Sequence, residues 1–242
     1  FDNTFLSLNS FTISPDDTVI GYSTLTDSVP APASGSLPMA RTGTTTPDAD
    51  ACSALTGSLT GMAVLIRRGG CTFIVKAQNA QAAGAAAVII YNNAAGRFSG
   101  TIAGSTVPIT IPTVQISDTE GALIDSRLLA GPVTLSWQSG VSSFANPTGG
   151  LVSSFSSYGL APDLSLKPDI GAPGGLIYST YPLEAGGFAT ISGTSMASPH
   201  VAGASALLLQ ALPNTPSQAV RGILQNSADP KPWWGNPALG FL

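Results

Sequence analysis

Residues 191–203 contain a serine whose position could make it a nucleophile. The sequence pattern predicts a strand before Gly193 and a long apolar helix from Ser195 to Leu212. We expect Gly193 to let the backbone turn sharply, so that Ser195 lies at the start of the helix. Free N–H groups and the positive end of the helix dipole lie there. A serine so placed could attack a carbonyl carbon while its own N–H helps to hold the oxyanion that forms.

A structural role for Ser195 is the alternative, because serine commonly caps helices and the Gly-Thr-Ser triplet alone favours that role. A serine nucleophile also needs a general base, usually histidine. The chain has a single histidine, His200. Five helical residues correspond to about 140° of rotation and about 7.5 Å of rise, so His200 points away from Ser195. We predict that His200 packs in the core and that Pro199 lies near the end of the first turn, where a missing N–H costs least.

The elements around this junction divide the chain into three regions. Residues 1–27 alternate short apolar and polar runs, which predicts strands. Two stretches, residues 28–35 and 139–150, have the composition of linkers. Between them the pattern alternates strand and helix. Its predicted strands cover residues 62–66, 86–91, 113–116 and 133–137, and its helices cover residues 74–83 and 118–129, the second opened by a capping box at 117–120. The last region adds predicted strands at residues 152–156 and 188–191.

Composition and charge exclude several classes of protein. The chain has nine Lys and Arg residues, thirteen Asp and Glu residues and a net charge of −4, so no basic surface for nucleic acid is expected. Its longest apolar run, residues 85–91, is far shorter than the roughly 20 residues that span a bilayer, and no membrane partner is expected. One histidine and two cysteines cannot form a four-ligand zinc site without carboxylates. A hydrophobic content of 43% is too high for a disordered chain.

The two cysteines, Cys52 and Cys71, flank a predicted strand. A disulfide between them would fit an oxidising compartment and therefore an extracellular, secreted protein. Two buried free thiols are the alternative.

The stretch Gly-Thr-Ser-Met-Ala-Ser-Pro-His-Val-Ala-Gly at residues 193–203 resembles the nucleophile motif of the subtilases, the subtilisin-like serine proteases, at eleven consecutive positions. Residues 155–159 and 167–174 resemble the segments that lead up to that motif. The resemblance implies that Ser195 is the nucleophile and that His200 is a packing residue. The residues that support the motif are then Gly193, Thr194, Met196, Ala197, Pro199 and His200.

Residues 64–73, 76–85 and 88–92 resemble a protease-associated (PA) domain, which is often inserted in larger subtilases. The implied organisation is a first part of the catalytic domain at residues 1–29, a PA insert at 30–139, and the nucleophile-bearing part at 140–242. The implied fold is α/β: part of a subtilisin-like parallel sheet with flanking helices, interrupted by a β-rich PA domain.

The resemblance also shows what this chain lacks. The family's catalytic Asp and His precede the nucleophile in segments that are not present, and its oxyanion Asn belongs just upstream of residues 1–4. We therefore expect a C-terminal fragment of a secreted serine endopeptidase, inactive alone, whose partners are the missing N-terminal half of the catalytic domain and protein or peptide substrates. No cofactor or metal is expected in this chain, and any calcium site would belong to the missing part.

The alternatives are an esterase and a non-enzymatic binding module. An α/β-hydrolase esterase would require Gly-x-Ser-x-Gly followed by an acid and a histidine. Here Ala197 occupies the fifth position and no histidine follows His200, so this alternative is set aside. A non-enzymatic protein-binding module built around the PA domain stays open.

Overall fold

Seven strands close into a barrel, and most of their residues belong to residues 8–142, one of the two compact units into which the chain divides. The computed structural model describes residues 1–42, 49–185 and 187–232. The strands are β1 (Phe5–Ile13), β2 (Thr18–Thr24), β3 (Ser36–Arg41), β4 (Ala63–Arg67), β5 (Ala87–Tyr91), β6 (Thr113–Ile116) and β7 (Thr134–Ala145), and two helices accompany them, α1 (Phe73–Ala82) and α2 (Asp118–Ala130). Around the barrel the order is β1-β2-β6-β5-β4-β3-β7.

The four strands β3, β4, β5 and β6 pair in parallel. β4 and β5 are nearly continuous runs of buried apolar residues, as expected for parallel strands that are covered on both faces. One cluster of buried side chains includes the rings of Phe11, Tyr22 and Trp137, whose centroids lie 5.4–5.9 Å apart. A second cluster of buried side chains includes Ile66 of β4 and Ile90 of β5.

Most of the local structure predicted for this unit is confirmed. Strands occur where residues 62–66, 86–91 and 113–116 were predicted to form them, and α1 begins one residue earlier than expected. The capping box of α2 is present, because the Glu120 N–H donates to Ser117 Oγ at 3.2 Å while the Ser117 N–H donates to Glu120 Oε2 at 2.9 Å.

The boundary of this unit differs from the predicted one. The unit begins at Leu8 and ends at Ser142, rather than at residues 30 and 139. The reason is that β1 and β2 form an antiparallel hairpin whose second strand pairs with β6 through Ser23 and Gln115. The predicted linker at residues 28–35 therefore connects two barrel strands.

The cysteines of the barrel unit form the predicted disulfide. The sulfur atoms of Cys52 and Cys71 are bonded, and neither cysteine is a free thiol. The bridge joins the segment before β4 to the residue that precedes Thr72, the N-cap of α1.

The other unit comprises residues 1–7 and the described residues from 143 onward. Its elements are β8 (Gly159–Leu160), β9 (Leu166–Lys167), β10 (Ile177–Thr180), a 3-10 helix (Leu183–Ala185), β11 (Phe188–Ile191), α3 (Thr194–Ala211) and α4 (Ser217–Ser227). β8 pairs with β9 and β10 with β11, both antiparallel. No helix in the described ranges is long and apolar enough to cross a membrane.

The fold is α/β, but the parallel sheet that was predicted for residues 1–7 and 143 onward is represented in the described ranges only by isolated bridges. Among the described residues of this unit, parallel pairing is limited to bridges from Asp2 to Gly149 and Gly175. The predicted strand at 152–156 is wrong. Val152 donates its N–H to the Pro232 carbonyl, and the chain then turns, with a hydrogen bond from Ser156 N–H to the Ser153 carbonyl.

Candidate active site

The turn before α3 does not depend on glycine at position 193. Gly193 is the N-cap of α3, with φ 163° and ψ 158°, an extended conformation that any residue adopts. A Cβ atom at this position would meet no atom closer than 3.7 Å, the distance to Met196 Sδ and to the Ser195 backbone nitrogen. Gly193 was expected to let the backbone turn sharply, but its extended conformation does not use the freedom that glycine provides.

The glycine that this geometry requires is Gly174. A Cβ there would lie 2.8 Å from the Gly193 carbonyl oxygen and 3.0 Å from the Ala197 Cβ, and both neighbours belong to the junction itself. The Gly193 N–H donates to the Gly174 carbonyl at 2.8 Å, and the Gly174 N–H donates to the Phe1 carbonyl at 3.0 Å. Backbone hydrogen bonds thus join the start of the chain, the loop 167–174 and the turn before the serine.

Ser195 is the second residue of α3 and is exposed. The N-cap of α3 has no side-chain hydrogen bond, so Ser195 does not cap the helix. Within the described part of the chain, no group forms a hydrogen bond with the Ser195 hydroxyl. The hydroxyl is therefore open to a substrate, and it lies beside the free N–H groups of the first helical turn.

The structure does not bring His200 to Ser195. His200 Nδ1 lies 2.8 Å from the Met196 carbonyl oxygen on its own helix, and the imidazole is exposed. The prediction of a core histidine does not hold in this structure, since none of the residues of α3 is buried.

Pro199 also differs from prediction. It is the sixth residue of the helix, inside the second turn, and its missing N–H leaves the Ser195 carbonyl without its usual helical donor.

α3 is apolar, yet the described residues bury none of its residues fully. Leu207 is 67% exposed and Leu209 is 40% exposed. An open cavity of about 970 Å³ lies along one face of the helix, at Thr194, Ala197 and Ser198, and extends to α4. Ser195 is not among the residues that line this cavity.

Asp169 fastens the loop 167–174 to α4. Its carboxylate accepts a hydrogen bond from Lys167 Nζ at 2.8 Å and pairs with the Arg221 guanidinium, while its carbonyl accepts from Gln225 Nε2 at 2.7 Å. The Lys167 hydrogen bond holds the pKa of Asp169 below its usual value. This carboxylate therefore anchors the loop to α4. In residues 1–42, 49–185 and 187–232, no group of three His, Cys, Asp or Glu side chains could hold a metal ion.

Comparison with known proteins places this junction in a family. The sequence model of the subtilase family matches residues 39–239, which is most of the chain. The chain belongs to the subtilase family. The resemblance drawn from residues 193–203 is therefore confirmed, while the assignment of the barrel unit as a PA domain stays a prediction.

Three named proteases and peptidases are similar to this chain over about two thirds of its length. The minor extracellular protease Vpr of Bacillus subtilis (strain 168) is 37% identical over 175 residues, which are 70% of this chain and 21% of that protein. A PII-type proteinase of Lactococcus lactis subsp. cremoris is 40% identical over 165 residues, 66% of this chain and 8% of its own length. A C5a peptidase of Streptococcus pyogenes serotype M3 is 36% identical over 154 residues, 61% of this chain and 12% of its own. The chain thus spans about a fifth or less of these relatives.

Proposed function

We propose that this subtilase chain carries the nucleophile of a serine endopeptidase, and that the nucleophile is Ser195. The observation that carries the proposal is the placement of an exposed, uncapped serine in the first turn of α3. Its Oγ attacks the carbonyl carbon of a peptide bond, and the backbone N–H of Ser195 donates to the oxyanion. The amine then leaves with a proton, and water hydrolyses the acyl-enzyme.

The general base comes from outside these 242 residues. The single histidine of the chain bonds to the carbonyl of Met196, and Asp169 is tied to Lys167 and Arg221. An upstream part of the catalytic domain supplies the base, the acid that orients it and a further oxyanion donor. The same part covers α3, because an apolar helix without a single buried residue needs a neighbour.

The substrates are proteins or peptides outside the cell. The names of the relatives support this class of substrate, because they describe an extracellular protease, a proteinase and a peptidase. The Cys52–Cys71 disulfide fits an oxidising compartment and supports secretion. In this proposal the barrel unit is a PA domain that restricts access of large substrates, and any calcium bound by the enzyme is held in the upstream part.

Cleavage of an unfolded protein tests this function. The complete protein, incubated with a reduced and alkylated polypeptide, should generate new termini at internal peptide bonds, as mapped by mass spectrometry. Stepwise shortening from one end would instead indicate an exopeptidase. Tight binding without cleavage would favour the protein-binding module that the sequence leaves open.

The role of His200 gives a second prediction. In the complete enzyme, His200→Gln should leave the acidic limb of the kcat/KM profile where it is, because that limb reports the free enzyme's true base. Thermal stability is expected to change, since the hydrogen bond to the Met196 carbonyl is altered. A shift of the acidic limb in this variant would mean that His200 titrates with the reaction.

A further inference from the structure

A buried lysine lies against one sulfur of the disulfide in the barrel unit. Lys76, on α1, is 0% exposed, and its Nζ donates to the Asp50 carbonyl and to Cys52 Sγ, the latter at 3.7 Å. The Asp50 carboxylate accepts hydrogen bonds from the Arg67 N–H at 2.8 Å and from the Thr42 hydroxyl.

The charge of Lys76 is under two opposing influences. Burial lowers the pKa of Lys76, and the negative charge of Asp50 raises it. While the disulfide is intact, Asp50 is the negative group that faces the ammonium from the neighbouring loop. A thiolate at Cys52 would be a second negative group near the ammonium, because Cys52 Sγ lies 3.7 Å from Lys76 Nζ.

We propose that the Cys52–Cys71 disulfide is a thiol-exchange site with a fixed polarity, at which a small thiol attacks Cys71 and Cys52 leaves as a thiolate beside Lys76. In the first step a bond forms between the attacking sulfur and Cys71 Sγ, the Cys52–Cys71 bond breaks, and its electron pair goes to Cys52. A second thiol then displaces Cys71. Two thiols are oxidised to one disulfide, and the protein gains two electrons and two protons.

The polarity follows from the leaving group. Exchange is faster when the leaving thiol has the lower pKa, and an opposite charge within about 4–6 Å lowers an acid's pKa by about 1–3 units. Two carbonyl oxygens, of Asp50 and Gly69, lie 3.8 and 3.7 Å from Cys52 Sγ, and they oppose a thiolate there only with partial charges. The ammonium carries a full charge and lies 3.7 Å from this sulfur.

The helix dipole acts on the other sulfur, but more weakly. Cys71 precedes Thr72, the N-cap of α1, where the dipole amounts to about half a positive charge. The Thr72 hydroxyl already accepts from the Val75 N–H. Cys52 and Cys71 are both partly exposed, so exposure does not set the direction of exchange. The exposed neighbours Gly70 and Thr72 leave room for a small thiol at Cys71.

The test maps the first product of exchange. The chain, purified with its disulfide intact, is treated with glutathione in the presence of iodoacetamide, which alkylates the released thiol before it can close again. We expect glutathione on Cys71 and the alkyl group on Cys52, with at least about a tenfold excess over the reverse pattern. Equal amounts of the two products, or an excess of glutathione on Cys52, would overturn the proposal without any variant.

Variants then assign the effect to the lysine. Lys76→Met keeps the length of the side chain without its charge, and should slow exchange about tenfold and bring the two products close to equality. Lys167→Met, in the other unit, should change neither quantity. In the Cys71→Ser variant, the alkylation rate of Cys52 should titrate below the usual thiol pKa of about 8.5, and Lys76→Met should restore that value. A Cys52 pKa at or above the usual value with Lys76 in place would also overturn the proposal.

Discussion

The Ser195→Ala variant of the complete enzyme should lose at least about 10⁴-fold in kcat for a peptide substrate, as deletions of the nucleophile in other serine proteases do. The loss is large because the alanine methyl cannot form the acyl-enzyme, which leaves only substrate binding and oxyanion stabilisation. KM should change little, because the Ser195 hydroxyl forms no hydrogen bond within the described residues that its removal would disturb. Steady-state hydrolysis of a chromogenic peptide measures both constants.

Ser198→Ala is the matched control for this variant. Ser198 is three residues further along α3 and is also exposed, but it lines the cavity, whereas Ser195 does not. Its replacement should change kcat by less than about threefold, equivalent to about 0.6 kcal/mol in the barrier. Comparable losses in the two variants would mean that the helix, rather than the Ser195 hydroxyl, was disturbed.

The Gly174→Ala variant should lower kcat about 100-fold, the cost of misplacing a catalytic group by about 1 Å. The added Cβ would lie 2.8 Å from the Gly193 carbonyl and 3.0 Å from the Ala197 Cβ, so either the loop or the start of α3 must move. The Gly193 N–H also bonds to the Gly174 carbonyl, so the displacement is passed to the turn before Ser195. Kinetics on the complete enzyme, with circular dichroism to verify folding, measures the effect.

Gly171→Ala separates this contact from a general effect of the loop. Gly171 lies three residues earlier in the same loop and is exposed, and a Cβ there would meet no atom within 4 Å. We expect kcat within about twofold of the parent, as for surface substitutions that cost up to about 0.5 kcal/mol. If both alanine variants lost activity equally, the contact between Gly174 and the helix would not be the cause.

Local patterns predicted much of the barrel unit. The apolar runs that became β4, β5 and β6 are short and bounded by turn residues, and the capping box fixed the start of α2 within one residue. The disulfide was predictable because the chain has only two cysteines. In each case the prediction rests on a few neighbouring residues or on the number of cysteines in the chain.

The features that the sequence did not predict depend on contacts between distant segments. The pairing of Ser23 with Gln115 moved the boundary of the unit, and no local pattern encodes that register. Gly174, rather than Gly193, proved to be the constrained glycine because the helix lies against it. The charge on Lys76 predicts exposure, yet its side chain is buried beside Asp50.

Labelling with a fluorophosphonate probe tests the central claim most directly, namely that Ser195 is a nucleophile whose base lies outside these 242 residues. The chain alone should remain unlabelled at neutral pH, because a serine without a base is a weak nucleophile. The complete protein, or the chain supplied with the upstream part in trans, should be labelled at Ser195, and Ser195→Ala should abolish that labelling. Robust labelling of Ser195 in the chain alone would contradict the account, as would labelling of the complete protein at a different serine.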